Sequence, residues 1–462
     1  MKTAQKVRVC VMSPYFLYLP ASYAIATRCF GLLNAEEYEL EEKQAWPHAM
    51  QSDDGVLQIL SSGAREYENV WFALCDPTLL LKSEAAASFR SLRVIATIVS
   101  SSAFWAVNHN SRKCELLSEL AQFEKIIAYR AGTTSHAIAK KILKHKATTD
   151  PATEIIEVDA GNEQMKFTES GEGTLMISPS VDDIEWLLRS DRNYHVMLEI
   201  GKTPEFSNLI TTALLVRQEV IQDHPKLVQT LLTGIQLALN SIHEQHLDTL
   251  AFAKKSTLYG EYAEHALKRA IESNVIPHSI EVHKDAWFRA ARNYYSSELE
   301  DVDDSELERK MQKAVEIYKC CIEPVIKLNK DARKEAKRVA QLSQEKRIIP
   351  TWLVVTNIVF IVLVVCGILS LVFGFTTEAI ILAIAIFVGY ISQHIVLQNK
   401  LGIGFISLST FSHWISITLF SVGVDLLVRS LLLGIAPIMV GATFWLGTFR
   451  PKLEELAKSN SK

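Results

Sequence analysis

Residues 69–75 read NVWFALC, in which the unbroken apolar run 70–75 stops at the polar turn Asp76-Pro77. A short run rich in aromatic and β-branched side chains and bounded by a turn predicts a strand with both faces buried. Fully buried strands are typical of sheets that helices cover on both sides. The run therefore predicts a strand of an α/β sheet, with Asp76 at its carboxyl end.

Other short strands alternate with helices on both sides of this run. The predicted strands are 7–12, 38–45, 69–75, 92–99, 104–108, 125–129, 154–158, 174–178 and 194–199. Helices are predicted at 21–33 and 54–61, and residues 219–295 have an almost wholly helical pattern. This alternation predicts an α/β domain with mostly parallel sheets.

The composition of the chain limits its size class and its partners. A length of 462 residues allows two to four domains. The formal charge of −4 argues against nucleic acid as a partner, because a nucleic-acid binder is usually basic. The seven cysteines contain no C-x-x-C spacing, which predicts reduced and mostly buried thiols.

The apolar residues are concentrated near the carboxyl end of the chain. Between residues 348 and 448 the only charged side chains are Glu378, Lys400, Asp425 and Arg429. They separate four apolar runs at 351–375, 379–397, 406–428 and 431–448, each long enough to cross ~30 Å of hydrocarbon. We expect an all-α transmembrane domain at 348–449 and a basic tail at 450–462. The alternative is a buried helical core in a soluble domain.

The charges beside the first apolar run predict how the chain is oriented. Residues 327–347 hold eight Lys and Arg side chains against three acidic ones, and the tail is basic as well. The residues before the first predicted strand contain no apolar segment of secretory type. Because positive flanks stay on the cytoplasmic side, we expect an inner or plasma membrane protein whose soluble domain and both termini are cytoplasmic.

Several short motifs in the first 300 residues carry a resemblance to a known family. They are Pro20, Ala24 and Gly31-Leu32-Leu33; residues 59–66; Gly132-Thr133-Thr134-Ser135; residues 171–179; and residues 216–238 with Pro225 in place. Together with the element order they resemble the type II periplasmic-binding-protein fold. The resemblance is closest to substrate-binding proteins for nitrate, sulfonates, taurine and bicarbonate, and to their thiamine-pyrimidine-synthase-like relatives. It covers about residues 5–296.

The resemblance implies a bilobal α/β domain at 1–296 whose lobes close over a ligand. It places one lobe at 1–102 with 205–296, and the other at 103–204. The chain would cross between them near 102–104 and 199–204. A helical, basic linker at 297–347 would follow. The implied function is that of a binding protein related to those of ABC transporters.

Polar residues that follow the predicted strands are the candidates for a ligand site. In open α/β sheets, ligands bind at the carboxyl ends of strands, and a helix amino terminus favours an anion. We therefore expect a small anionic or zwitterionic solute. The alternatives are an ordinary helix cap and polar turn chemistry. The candidates are Ser13, Tyr15, Asp76, Ser100, Ser101, Gly132, Thr133, Thr134, Ser135 and Ser178.

The sequence contains no recognisable catalytic or metal motif. There is no H-E-x-x-H, no Walker loop and no G-x-S-x-G, and His243 and His246 are more typical of a solvated helix face. The cysteine-rich iron motif of the thiamine-pyrimidine synthases is absent. We expect a non-catalytic protein without cofactor or metal. Two alternatives remain open: a pyrimidine-metabolite enzyme on the same fold, and a membrane assembly or channel protein with a ligand-free regulatory domain.

The linker has an apolar stripe of heptad type. The stripe consists of Leu307, Met311, Ala314, Tyr318, Cys321, Val325 and Leu328. Such spacing favours either homo-oligomerisation through residues 304–347 or a helix packed back on its own domain. Pro324 predicts a kink, because proline cannot donate to the helical ladder.

Overall fold

The structure, a computed structural model, describes the chain as far as residue 347. Within residues 4–347 it omits 12–15, 34–36, 45–54, 63–66, 68, 83–88, 110–111, 130–133, 146–152, 159–166, 168–172, 179–180, 190–193, 257–259 and 299–302. The chain divides into two units, residues 1–340 and 341–462. The four apolar runs lie outside the described residues. In the part that is described, no helix has both the length and the apolar character needed to span a bilayer.

Ten strands of the described chain form two five-stranded sheets. The first sheet has the order β2-β1-β3-β10-β4. Its strands are β1 Gln5–Val11, β2 Tyr38–Gln44, β3 Val70–Cys75, β4 Leu92–Ser100 and β10 Ile210–Arg217. Strands β1, β2 and β3 are parallel, whereas β10 runs antiparallel between β3 and β4.

The second sheet has the order β7-β6-β8-β5-β9 and the same mixed character. Its strands are β5 Trp105–Asn108, β6 Lys125–Tyr129, β7 Glu154–Val158, β8 Thr174–Ser178 and β9 His195–Glu199. Strands β6, β7 and β8 are parallel, and β5 runs antiparallel between β8 and β9. The carboxyl ends of four strands therefore lie at one edge of each sheet.

The helices pack on both faces of the sheets. They are α1 Leu19–Ala26, α2 Gly55–Ser62, α3 Thr134–Lys144, α4 Val181–Arg189, α5 Gln218–Asp223, α6 Pro225–His243, α7 Leu247–Ser256, α8 Ala263–Glu272, α9 Lys284–Glu298, α10 Asp304–Ile317 and α11 Ile326–Arg347. One contiguous apolar cluster contains α1 and α6 on the first sheet together with α4 on the second. The two sheets thus share part of their core.

The predicted strands are confirmed to within about two residues at each end, but β10 was missed. Its segment is almost fully buried because it lies between two other strands. An apolar run of that kind does not distinguish a strand from a buried helix. The helix predicted at 21–33 ends at Ala26, because Arg28, Cys29 and Phe30 adopt left-handed backbone angles. Each sheet also contains one reversed strand, so neither is purely parallel.

The six cysteines in the described part are free thiols, as predicted. Cys10 and Cys75 are buried in strands of the first sheet. Burial raises the pKa of the Cys10 thiol to about 12.

The chain passes between the two sheets twice, and the two crossings touch. Residues 101–104 join β4 to β5, and residues 200–209 join β9 to β10. The Ser101 N–H donates to the Leu209 carbonyl (2.9 Å), the Ser102 N–H to Phe206 (3.0 Å) and the Ile200 N–H to Phe104 (3.0 Å). This is the bilobal arrangement implied by the resemblance. The lobe boundaries given above stay predictions.

The apolar stripe of the linker packs against its own domain. Leu307, Ala314, Tyr318 and Cys321 belong to the cluster beneath the first sheet, where the Trp287 indole N–H donates to the Ala314 carbonyl (3.0 Å). The stripe therefore gives no support to homo-oligomerisation through residues 304–347, which stays a prediction. At Pro324 the helical path passes through a π turn, Tyr318–Ile322, and a 3₁₀ turn, Glu323–Val325.

The contact between the crossings predicts that residue 201 tolerates only glycine. A Cβ at Gly201 would lie 2.2 Å from the Ser102 carbonyl oxygen, which is main chain and cannot rotate away. Gly201→Ala should lower the free energy of unfolding by about 1–3 kcal/mol, the usual cost of overpacking. Urea unfolding monitored by circular dichroism measures this. Gly173→Ala is the control, since a Cβ there meets nothing within 4 Å. Equal stability of the two variants would contradict the crossing geometry.

The packing of the linker predicts where the soluble unit ends. A fragment ending at residue 298 would expose the apolar cluster that α10 and the π turn cover. We expect it to melt well below a fragment ending at residue 347, or to aggregate, because a large exposed apolar patch promotes association. Differential scanning fluorimetry and gel filtration compare the two fragments. Equal melting temperatures would show that the linker is not part of the domain.

Candidate functional site

The carboxyl ends of strands from the two sheets meet at Asp76 and Thr134. Asp76 directly follows β3 of the first sheet, and Thr134 begins α3, which comes after β6 of the second sheet. The Thr134 hydroxyl donates to Asp76 Oδ2 at 3.4 Å, which is a long hydrogen bond. The structure thus brings two of the predicted site residues together across the space between the sheets.

One carboxylate oxygen of Asp76 accepts hydrogen bonds within its own turn, and the other accepts a single long one from the described residues. Oδ1 accepts hydrogen bonds from the Thr78 main-chain N–H and from the Thr78 hydroxyl, both at 2.8 Å. These two bonds cap the short 3₁₀ turn Pro77–Leu81. In the described chain, Oδ2 has only the long contact with Thr134, and no cationic side chain touches either oxygen.

The carboxylate of Asp76 is largely shielded from solvent. The residue keeps some solvent exposure, yet burial raises the pKa of its carboxyl to about 6. The hydrogen bonds from Thr78 and Thr134 and the distant charge of Lys82 act in the opposite direction, but they do not cancel the burial. A carboxyl with a strongly raised pKa in a cleft marks a candidate functional group.

Two other predicted site residues follow strands of the second sheet and are fully buried. Ser135 accepts a hydrogen bond from the Tyr129 N–H (3.2 Å) and donates to the Ile177 carbonyl (3.3 Å), so its hydroxyl ties β6 to β8. Ser178 ends β8 opposite Trp105 of β5. A ligand role for either serine stays a prediction.

The hydroxyls of Ser100 and Ser101 form hydrogen bonds to main-chain groups of other segments. The Ser100 hydroxyl donates to the Asn274 carbonyl (2.7 Å). Ser101 has a φ of 61°, and its hydroxyl accepts from the Asn208 N–H (3.2 Å). Ser13, Tyr15, Gly132 and Thr133 lie outside the described residues, so their ligand roles also stay predictions.

Two buried polar groups at the first crossing were missed by the site prediction. Ser102 Oγ and Trp105 Nε1 find no hydrogen-bond partner among the described residues, although both residues are at least 98% buried. A buried donor without a partner is rare, because it loses its bond to water without replacement. Ser102 directly follows Ser100 and Ser101, which the sequence had singled out as candidates. Trp105 carried no signal beyond its position at a strand start.

Two polar clasps hold the helices of one sheet against those of the other. Between α3 and α9, Lys141 Nζ donates to Asn293 Oδ1 (2.6 Å). Between α4 and α8, Arg269 Nε donates to Glu185 Oε1 (2.5 Å), and Glu185 is only 3% exposed. Burial lowers the pKa of the Lys141 ammonium to about 8. Sequence reasoning identified neither clasp, since the partners lie 152 and 84 residues apart.

The histidines do not form a metal centre in the described chain. The His243 ring stacks on His278 with centroids 3.8 Å apart, and its Nε2 lies 3.1 Å from the Pro277 carbonyl. His246 instead pairs with Glu244 at 2.6 Å. Throughout the described ranges, no group of three or more His, Cys, Asp and Glu side chains is placed to hold a metal ion.

Comparison with known proteins finds similarity only among solved structures. No family model matches the chain, and no curated protein matches it. The chain is similar to a Candida albicans gene product that exhibits the generic periplasmic-binding-protein fold. The identity is 12% and the TM-score 0.48, over 69% of this chain and 96% of that one.

Two bacterial binding proteins show a similarity of the same order. The periplasmic aliphatic sulphonate binding protein of Escherichia coli is 13% identical with a TM-score of 0.46, over 64% of this chain and 88% of that one. The periplasmic nitrate-binding protein of Synechocystis is 10% identical with a TM-score of 0.48, over 73% of this chain and 89% of that one. What these proteins bind is a property of those proteins.

The raised pKa of Asp76 predicts a specific pH dependence of stability. Its folded-state pKa of about 6 lies above the unfolded value of about 3.9, so its contribution to stability is present near pH 4 and is lost as the pH rises through 6. Asp76→Asn does not titrate. The stability of the variant relative to wild type should therefore increase between pH 4.5 and pH 7.5. Urea unfolding at the two pH values measures the change.

Asp303→Asn is the matched control for this measurement. Asp303 also caps a helix, but the hydrogen bonds from Ser305 hold its pKa below the usual range. Its stabilising contribution is therefore retained at pH 7.5, and the variant should gain nothing between pH 4.5 and pH 7.5. A pH-independent difference between wild type and Asp76→Asn would contradict the burial of the Asp76 carboxylate.

Proposed function

We propose that residues 1–347 capture a small solute between the two sheets for sensing or transport, and that residues 348–449 tether this domain to a membrane. The observation that carries the proposal is the meeting of Asp76 and Thr134 at the carboxyl ends of β3 and β6. This is the edge where open α/β sheets bind their ligands. The proposed role is binding rather than catalysis.

The sheet order supports a cleft of the size of a metabolite. In the first sheet, β3 and β4 are separated by one strand; in the second sheet, β6 and β5 are separated by one strand. With strands ~4.8 Å apart, the Asp76–Thr134 contact and the first crossing lie about 10 Å from each other. A small organic molecule of that length would reach from Asp76 to the unpartnered donors Ser102 Oγ and Trp105 Nε1.

A second function is favoured by the clasps. The buried Glu185–Arg269 pair and the apolar cluster shared by the two sheets would also suit a rigid module that binds no ligand. Such a module would serve a membrane assembly or channel protein. The two proposals differ in whether a solute stabilises the fold.

Solute screening distinguishes the two functions. The full chain in detergent would be screened by differential scanning fluorimetry against small anions and zwitterions. A ligand at 100 times its dissociation constant should add ~2.7 kcal/mol to the free energy of unfolding. Thr134→Val, which removes the hydroxyl facing Asp76, should weaken the response. Thr233→Val removes an unpartnered buried hydroxyl on α6 and should not. A chain that no solute stabilises would favour the rigid module.

The membrane tether and its orientation are supported by the surface of α11. Lys327, Lys330, Lys334 and Lys337 are exposed at helical spacing along one face, just before the first apolar run. None of them forms an ion pair with a described residue, whereas Arg333 and Arg338 on the same helix do. A basic flank of this kind is typical of the cytoplasmic side, where we place the soluble domain and both termini.

Amine labelling of membrane vesicles tests the orientation. A membrane-impermeant acylating reagent should modify Lys334 in inside-out vesicles and leave it unmodified in right-side-out vesicles, as read by mass spectrometry. Lys226 in the soluble unit is the matched control, since it is also exposed and should follow the same pattern. Labelling of Lys334 in right-side-out vesicles would contradict a cytoplasmic domain, and recovery of the full chain in the soluble fraction would contradict the tether.

A further inference from the structure

We propose that the solute carries a positively charged nitrogen group, an ammonium or an amidinium, that binds to Asp76 Oδ2. The inference rests on the proposed function and narrows its ligand class. The sequence predicted an anionic or zwitterionic solute; the geometry at Asp76 points to a zwitterion with its cationic end at this carboxylate.

The carboxylate of Asp76 has hydrogen-bonding capacity that the described residues do not use. A carboxylate oxygen can accept about two hydrogen bonds, and Oδ1 already accepts two from Thr78. Among the described residues, Oδ2 has one contact, at 3.4 Å with the Thr134 hydroxyl, so with respect to them it has room for a stronger donor. Since the residue keeps some exposure to solvent, a ligand can reach this oxygen.

The charges around Asp76 also favour a cation as its partner. The titratable groups that the structure places around Asp76 are Cys75 beside it, Tyr294 on α9 and Lys82 beyond the 3₁₀ turn. Cys75 and Tyr294 are neutral, because burial raises the pKa of both, and Lys82 acts only at a distance. No described residue supplies a cation in contact. A buried carboxylate without a cationic partner is costly, and a ligand cation would remove that cost.

Asp76 does not cap helix α3 of the second sheet. A capping carboxylate accepts main-chain N–H groups of the helix that it caps. Asp76 does this for its own 3₁₀ turn, through the Thr78 N–H. Toward α3, the one described group that it contacts is the side-chain hydroxyl of Thr134. The oxygen facing the second sheet therefore stays available to a solute.

The negative end of a zwitterion would lie at the first crossing rather than beside Asp76. A purely anionic solute placed at Asp76 would be repelled by the carboxylate in a poorly solvated environment. About 10 Å away, at the first crossing, the buried Ser102 hydroxyl and the Trp105 indole N–H lack partners and would donate to an anionic group. A zwitterion spanning this distance satisfies both ends of the cleft.

Matched solute pairs test the inference on the full chain in detergent. The probes are taurine against isethionate, β-alanine against 3-hydroxypropionate, and O-phosphoethanolamine against glycol phosphate. Within each pair an ammonium is replaced by a hydroxyl. For any pair that binds, titration calorimetry at pH 7.5 should show the ammonium member binding about tenfold tighter or more, since hydrogen bonds between charged groups are the strong ones.

Two changes should remove this preference. In Asp76→Asn the two members of a pair should bind within about twofold of each other, whereas Asp303→Asn should keep the preference. In wild type at pH 5 the preference should also fall by up to about tenfold, because Asp76 is then mostly protonated and uncharged, whereas the ammonium of the solute keeps its positive charge. The pH experiment needs no variant, so it stands even if Asp76→Asn unfolds.

The outcomes distinguish a failure of the cationic subsite from a failure of the proposed solute-binding function. Equal binding of the hydroxyl and ammonium members, or a preference unchanged in Asp76→Asn and at pH 5, would overturn the cationic subsite while the solute-binding function stands. If no member of any pair binds and the wider screen yields only purely anionic solutes, the cationic subsite fails and the solute-binding function stands. If the wider screen yields no solute at all, the proposed function fails, and the inference fails with it.

Discussion

The main-chain contact between the two crossings determines how the two sheets face each other. The Ser101 and Ser102 N–H groups bond to carbonyls of the second crossing, and Gly201 packs against the Ser102 carbonyl where no side chain fits. The first crossing joins the carboxyl end of β4 to the amino end of β5, and this contact ties it to the second crossing. As a result, the carboxyl edges of the two sheets face each other, and Asp76 meets Thr134.

The clasps determine how the space between the sheets can open. On one side Lys141 of α3 bonds to Asn293, and on the other the buried Glu185 pairs with Arg269. Opening would break a charge-assisted hydrogen bond on each side. The separated charges would regain water, so opening costs much less than deleting one partner of a buried pair. Under the proposed function, these two contacts would have to break for a solute to enter between the sheets.

The sequence predicted the parts of the fold that depend on local patterns. Strands 125–129, 154–158 and 174–178 were predicted to the residue, because short runs with β-branched residues between turns are typical of strands. Strand β10 was missed because burial between two strands removes the alternation that marks a strand. The clasps were missed because long-range pairing leaves no local pattern. Asp76 and Thr134 were found because strand ends are local features, but their contact depends on the crossings.

Hydrogen exchange in the presence of a bound solute tests most directly that the solute lies between the sheets. We expect slower exchange in two separate segments at once: the 3₁₀ turn Pro77–Leu81 after β3, and the first turn of α3 beginning at Thr134. Helix α6, which lies away from both strand ends, should exchange as before. Protection confined to one of the two segments, or located only on the linker helices, would contradict binding between the sheets.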